Sequence, residues 1–204
     1  MIERALLAAV LLAVLNTQAA TPAATIASGV ATPRTLEQEQ IAYKGKLVKA
    51  YAFADKGGPH LLVLSQHKPA QLRAQLFKKD AGRWKEEWAI RDAVDCHPDM
   101  DVKASFFADA VTFTDVDGNG QAEVTVAYKM FCGGGVDPSV LKVIMRQGAQ
   151  KLAMRGTTRI VGPKNEPAYG GEAVYDNALA LAKNQMYKAH IDAVRRKVVV
   201  ERWK

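Results

Sequence analysis

The sequence predicts a mainly β fold, an antiparallel meander with a C-terminal helix, from three observations. Short stretches rich in strand-forming residues alternate with turns that contain Gly and Asp. Within several stretches, apolar and polar residues alternate with period two. Near the C-terminus, after a Gly- and Pro-rich segment, the apolar residues recur with helical spacing. The regular strand spacing is typical of three architectures: a twisted sheet, a partial barrel or propeller-like blades.

Residues 1–20 have the composition of a secretory signal peptide. Arg4 precedes an apolar run from Ala5 to Leu15, and Ala19 and Ala20 are small residues suited to cleavage. The run is shorter than the roughly 20 residues that span a bilayer, so no transmembrane anchor is expected in the mature chain. No cysteine follows the run for lipid attachment. A periplasmic or secreted protein is therefore predicted.

The length of 204 residues predicts one main domain. Residues 21–38 are rich in Ala, Thr and Pro, which predicts a flexible linker, because such a segment buries too little apolar surface to offset the entropy of ordering. Residues 39–162 are expected to form a β-rich calcium-loop domain. Residues 163–204 are expected to form a loop and a helix that docks on the sheet.

Four hairpins are expected in the β-rich domain. Their strands are Lys46–Phe53 with His60–Gln66, Leu72–Lys78 with Arg83–Val94, Val111–Thr114 with Glu123–Phe131, and Val140–Gln147 with Lys151–Ile160. Period two predicts that Trp84, Trp88 and Ile90 share one buried face, although an exposed aromatic platform for sugar rings is an alternative. In the third hairpin, Thr125, Ala127 and Lys129 are expected to face a more polar side.

The C-terminal helix is expected to begin at Asp176, which suits an N-cap. Its predicted apolar stripe consists of Leu179, Ala182, Met186, Ala189 and Ala193. The three consecutive valines within Lys197–Trp203 make a final strand the alternative for that segment.

The strongest chemical signal is a calcium-type loop at residues 115–123. Asp115, Asp117, Asn119 and Glu123 occupy loop positions 1, 3, 5 and 9, and Gln121 offers its carbonyl at position 7. Oxygen donors at alternate positions can surround a hard divalent cation, and without a cation the three carboxylates repel one another. Position 12 is Val126 instead of glutamate, which excludes an EF-hand. The cofactor predicted is Ca²⁺.

This loop resembles the calcium-binding loop of FG-GAP repeats, as in integrin α-chain propellers, and departs from that pattern by having Glu123 in place of Asp. A wider resemblance covers roughly residues 60–160 and is carried by scattered short motifs. These are Trp88, 92–96, 114–120, 123–125, Tyr128-Lys129, Cys132, Leu141-Lys142 and Arg155-Gly156. Together they are similar to a family of uncharacterised secreted bacterial proteins labelled as surface polysaccharide biosynthesis proteins. The resemblance implies an exported β-rich domain with a calcium loop.

Cys96 and Cys132 are the two cysteines of the chain, and an even count in an oxidising compartment predicts that they form a disulfide.

The formal net charge of +7 indicates anionic partners. For an exported protein these are acidic polysaccharide, peptidoglycan or lipid head groups and not nucleic acid. Because the lysines are scattered, a basic surface that serves only solubility is the alternative.

The chain has none of the common hydrolase or nucleotide-binding motifs, so no catalytic residue is assigned. The predicted function is that of a non-catalytic calcium-binding module associated with the cell envelope or surface polysaccharide. The alternative is a cell-envelope glycan hydrolase that uses paired carboxylates among Glu86, Glu87 and the acids near Cys96.

Overall fold

A computed structural model describes residues 24–163 and 166–202, so the predicted signal peptide lies outside the described residues. The strands in these ranges are β1 (Ala24–Thr25), β2 (Ser28–Val30), β3 (Lys46–Asp55), β4 (Gly58–Gln66), β5 (Gln71–Asp80), β6 (Arg83–Ala93), β7 (Asp101–Phe106), β8 (Thr112–Asp115), β9 (Glu123–Gly133), β10 (Val140–Gln147), β11 (Gln150–Thr157), β12 (Arg159–Val161), β13 (Tyr169–Gly170), β14 (Ala173–Tyr175) and β15 (Val200–Arg202). The α-helices are α1 (Pro33–Gln38) and α2 (Gln185–Val198), and short 3₁₀ helices span Ala108–Ala110, Asn177–Ala180 and Ala182–Asn184.

Two antiparallel sheets carry the fold. The five-stranded sheet has the order β2-β3-β4-β5-β6, and the seven-stranded sheet follows β1-β8-β9-β10-β11-β14, with β7 also paired to β9. A small third sheet joins β13, β12 and β15. The predicted antiparallel meander with a C-terminal helix is therefore confirmed. The described strands between residues 24 and 202 do not form a closed barrel.

The two large sheets pack face to face around an inner core. Tyr51, Leu62 and Trp88 of the five-stranded sheet meet Phe113 and Val126 of the seven-stranded sheet in this core. Apolar side chains from facing sheets exclude water from the space between them, which is the main favourable term of the fold.

The outer face of the seven-stranded sheet is also buried, because α2 covers it. Ala127 and Met154 of the sheet pack there with Tyr187 and Ile191 of the helix. The expectation of a more polar side on β9 is wrong for Thr125 and Ala127, which are completely buried. A sheet covered on both faces has no solvated side.

All four predicted hairpins form. The β5–β6 turn consists of Ala81 and Gly82, both with positive φ, at 46° and 79°. Two consecutive residues of this kind form a primed turn, whose twist matches that of paired strands.

Trp84 lies on the opposite face of β6 from Trp88 and Ile90, so the prediction of one shared face is wrong. Leu76 pairs with Trp88, whereas Phe77 pairs with Glu86, and the skipped residue forms a bulge. A bulge adds one residue to one strand and reverses the alternation beyond it. Trp84 consequently packs on the outer face of the five-stranded sheet and donates a 2.6 Å hydrogen bond to Glu39.

Residues 24–38 form strands and a helix, so the prediction of a flexible linker is wrong for them. Thr32 caps α1 by accepting a hydrogen bond from the Thr35 N–H group. Leu36 is 1% exposed and packs with Ala31 on the outer face of the five-stranded sheet. These few apolar side chains suffice because they pack on a face of the five-stranded sheet.

The long C-terminal helix begins at Gln185 instead of following Asp176. Asp176 occupies the N-cap position of the 3₁₀ helix Asn177–Ala180, but its side chain makes no capping hydrogen bond. The carboxylate instead accepts hydrogen bonds from the Ala153 N–H group at 2.9 Å and from Arg155 at 2.5 Å. Short 3₁₀ helices occupy most of the intervening segment.

The buried stripe of α2 differs from the predicted one. Its buried members are Tyr187, Ile191, Val194 and Val198, whereas the predicted Met186 is 45% exposed. The alternative of a final strand holds for β15, which pairs in parallel with β12.

The predicted disulfide between Cys96 and Cys132 is present, with the Cα atoms 5.6 Å apart. Cys96 lies in the connection between β6 and β7, and Cys132 lies in β9. The bridge therefore ties the chain to the seven-stranded sheet where it crosses from the five-stranded one.

None of the helices within residues 24–163 and 166–202 combines the length and apolar character needed to cross a bilayer.

Candidate metal centre

The loop predicted to bind calcium connects β8 to β9 at one end of the seven-stranded sheet. Thr114 and Glu123 are paired across the two strands, so the loop closes directly beyond a hydrogen-bonded ladder. Gly118 and Gly120 have φ values of 72° and 82°, in the left-handed region that glycine adopts without strain. These two positions allow the chain to fold back between the carboxylates.

The three carboxylates of the loop converge. Asp115, Asp117 and Glu123 each place an oxygen within 4.8 Å of the others. Glu123 is completely buried, whereas Asp117 is exposed, so the cluster extends from the protein interior to its surface. The convergence that the spacing predicts is therefore present for these three residues.

Asn119 and Gln121, the other predicted ligands, are brought together by a residue outside the loop. The Gln147 amide nitrogen donates to Asn119 Oδ1 at 3.3 Å, to the Gln121 carbonyl at 3.3 Å and to Glu123 Oε1 at 2.9 Å. Three of the predicted ligand oxygens thus surround one polarised N–H₂ group. A cation entering the cluster would compete with this group for the same oxygens.

Burial is the main reason that the pKa of Glu123 is raised to about 7, and the nearby Asp117 and Asp115 carboxylates contribute to that value. A 2.7 Å hydrogen bond from the Val116 N–H group acts in the opposite direction. The pKa of Tyr187 is raised by burial and by donation of its hydroxyl to Asp117. Burial is the largest cause of both shifts, and the carboxylates of the loop add to each of them. A bound divalent cation would reverse this effect and favour the ionised carboxylates.

One carboxylate oxygen of Asp115 is buried and has no hydrogen-bond partner among the described residues. Its Oδ2 accepts a 3.0 Å hydrogen bond from the Gly120 N–H group, but its Oδ1 is buried without a partner among the described residues. An unpartnered buried carboxylate oxygen is costly, and a cation is one way to satisfy it. The candidate metal-ligand atoms of the cluster are all oxygens, which suits a hard cation such as Ca²⁺ or Mg²⁺.

Contacts from two other layers of the fold hold the loop in place. From the β3–β4 turn, the Lys56 N–H group donates to the Gly120 carbonyl at 2.8 Å, and Asp55 accepts from the Ala122 N–H group at 2.8 Å. From α2, the Tyr187 hydroxyl donates to Asp117 at 2.7 Å. The loop is therefore a junction between the two sheets and the C-terminal helix.

Sequence reasoning missed Gln147, Tyr187 and Asp55, which lie far from the loop along the chain. For Gln147 a signal exists: Arg146 pairs with Val124, so the next residue of β10 comes beside Glu123. That signal requires the strand register, which depends on sheet assembly.

The two glutamates considered for glycan hydrolysis have other contacts. Glu86 accepts hydrogen bonds from Gln75 at 2.6 Å and from Arg91 at 2.7 Å. Glu87 lies 3.8 Å from His60 Nδ1.

Replacing Gln147 by glutamate is expected to tighten calcium binding by about tenfold, because calcium affinity rises with the number of charged ligands. Isothermal titration calorimetry measures the dissociation constant. The matched control is Gln150→Glu, which adds the same charge at the exposed position paired with Gln147 across the turn. Equal changes in both variants would show a general charge effect and would contradict a place for residue 147 beside the ion.

Comparison with protein-family models, curated proteins and solved structures gave no match. The family resemblance stays a prediction, and function is inferred from the geometry described above.

Proposed function

We propose that this protein is an exported, non-catalytic calcium-binding module that associates with an anionic polymer of the cell envelope, such as surface polysaccharide or peptidoglycan. The observation that carries the calcium part is the convergence of Asp115, Asp117 and Glu123 within 4.8 Å at a junction of three layers. Asn119 and the Gln121 carbonyl would complete the ligand set. The family resemblance and the predicted signal peptide support the envelope part.

A structural role for the ion is supported by the contacts of the loop. Asp55, Lys56 and Tyr187 connect the loop to the five-stranded sheet and to α2 through hydrogen bonds of 2.7 to 2.8 Å. An ion that relieves the repulsion among the loop carboxylates would stabilise all these contacts together. Calcium would thus hold the layers in one arrangement.

Attraction to an anionic polymer is supported by the formal net charge of +7. The disulfide is compatible with a protein that functions outside the cytoplasm.

The test is co-sedimentation of the protein with purified envelope polysaccharide and with peptidoglycan at low and high salt, with released sugar assayed in the same samples. Retention at low salt is expected to fall at about 1 M salt, where the Debye length is about 3 Å. No sugar should be released. Steady release that a single Glu or Asp substitution outside the loop abolishes would establish the hydrolase instead.

A further inference from the structure

A second feature is a cleft of about 440 Å³ where β6, at the edge of the five-stranded sheet, faces β10 and β11 of the seven-stranded sheet. We call it the basic cleft, because five cationic side chains line it: Arg91, Lys142, Arg146, Lys151 and Arg155. Asp92 is the one carboxylate among its described lining residues. Arg91 is paired with Glu86 at 2.7 Å, outside this lining. The positive charge is nevertheless grouped in one concave space, unlike a scattered basic surface.

The strand register places these cations directly opposite one another. Lys142 pairs with Arg155, and Arg146 pairs with Lys151, across the β10–β11 hairpin. Between the two pairs, Ile144 and Ala153 belong to the inner core, so the cations share the face that looks toward the other sheet. Like charges directly opposite on antiparallel strands destabilise a sheet. These two pairs of like charges therefore lower the stability of the fold.

The positive charge of one of the two pairs is balanced by carboxylates of the fold. Lys142 donates to Asp92 at 2.5 Å, and Arg155 donates to Asp176 at 2.5 Å. For Arg146 and Lys151, no carboxylate lies within 4.0 Å in residues 24–163 and 166–202, measured between side-chain nitrogen and oxygen atoms.

Two contacts hold Arg146 in position, and one of its N–H groups has no hydrogen-bond partner among the described residues. Its guanidinium lies 5.4 Å from the Trp88 ring centroid, and Nη2 donates to the Gly148 carbonyl at 3.2 Å. Its Nε is buried without a hydrogen-bond partner among the described residues. Glu87 attracts this guanidinium electrostatically, but the two side chains form no ion pair within 4.0 Å. A guanidinium held in this way is suited to a carboxylate, which its planar fork binds through two hydrogen bonds.

We propose that the basic cleft binds a carboxylate-bearing polysaccharide chain and is the place where the anionic polymer of the proposed function docks, an inference that rests on that function. The cation pairs lie four residues apart along β10, or about 13 Å, which suits charges repeated along a chain better than a single small anion. Arg91, Lys151 and Arg155 are exposed, whereas Lys142 and Arg146 are partly buried. A chain that enters the concave space can therefore contact all five cations more readily than a flat bilayer surface can. The cleft volume is within the range of about 300 to 1,000 Å³ found for ligand sites.

The experiment measures binding of a fluorescent hyaluronan hexasaccharide, whose uronate units alternate with neutral sugars, with calcium present. Arg146→Gln with Lys151→Gln is expected to weaken binding about tenfold or more, because two charge-assisted contacts are lost. Without the probe, Lys151→Gln alone should melt about 1 to 3 °C higher, since it removes the like-charge pair and keeps the contacts of Arg146 with Trp88 and Gly148. Neutral maltohexaose should not bind.

The matched control is Lys183→Gln with Arg196→Gln, which removes the same charge from exposed positions near and on α2. It should bind the probe as the wild type does. If the change at Arg146 disturbs packing on Trp88, Lys151→Gln alone still tests the basic cleft, because Lys151 is at an exposed position.

Equal loss of binding in the cleft variant and the control would overturn the basic cleft as the binding site and leave the proposed function standing. Binding to phosphatidylglycerol vesicles but not to the hexasaccharide would overturn it in favour of a membrane surface. If the wild type binds no hexasaccharide yet co-sediments with envelope polymer, the cleft inference fails alone. If it does neither, the envelope association fails as well.

Discussion

Calcium is expected to raise the melting temperature of this protein by about 5 to 10 °C at a calcium concentration about 100 times the dissociation constant. An ion that binds only the folded state stabilises it by about 2.7 kcal/mol at that concentration. In a chain of this size, each 1 kcal/mol corresponds to about 2 to 4 °C. Melting curves recorded with calcium and with a chelator measure the difference. Asp115→Ala with Asp117→Ala should abolish it, because both changes remove charged oxygens of the cluster.

The matched control for this variant is Asp95→Ala with Asp99→Ala, which removes two exposed carboxylates outside the loop. It should keep the full calcium effect, which separates a specific site from a change in net charge. Wild-type protein that melts at the same temperature with calcium and with chelator would refute the calcium site.

Removing the disulfide by Cys96→Ser with Cys132→Ser is expected to lower the free energy of unfolding by about 3 to 4 kcal/mol. The two cysteines are 36 residues apart, and without the bridge the unfolded chain regains the entropy of an open loop of that length. Urea denaturation measures the loss. A reducing agent should destabilise the wild type to the same extent and leave the double variant unchanged. A double variant as stable as the wild type would show that the bridge adds nothing to folding stability.

Local signals were sufficient for the hairpins, the disulfide and the acidic loop. Ala81 and Gly82 adopt the positive φ values of a hairpin turn, and the loop carboxylates converge because alternate residues of a tight turn face the same centre. Each of these features depends on residues that are close in sequence or, for Cys96 and Cys132, on there being one possible pair.

Features that depend on contacts between distant residues could not be predicted in this way. The bulge opposite Leu76 and Phe77 moves Trp84 to the other face of its strand, and no local pattern marks it. The buried stripe of the C-terminal helix differs from the predicted one because α2 begins at Gln185 and buries Tyr187 and Ile191 against the seven-stranded sheet. The position of that sheet cannot be derived from the helix sequence. Residues 24–38, poor in large apolar side chains, are ordered because the five-stranded sheet offers a face for Leu36.

For the metal centre, the sequence by itself determined the loop and its candidate oxygens, since these lie within nine consecutive residues. Only the tertiary structure placed Gln147 among those oxygens, Tyr187 on Asp117 and the β3–β4 turn against Gly120. The same holds for the basic cleft, where the pairing of Arg146 with Lys151 follows from strand register. The physical reason is that turn chemistry acts between neighbours in the chain, whereas register and layer packing are decided by the burial of apolar surface from the whole molecule.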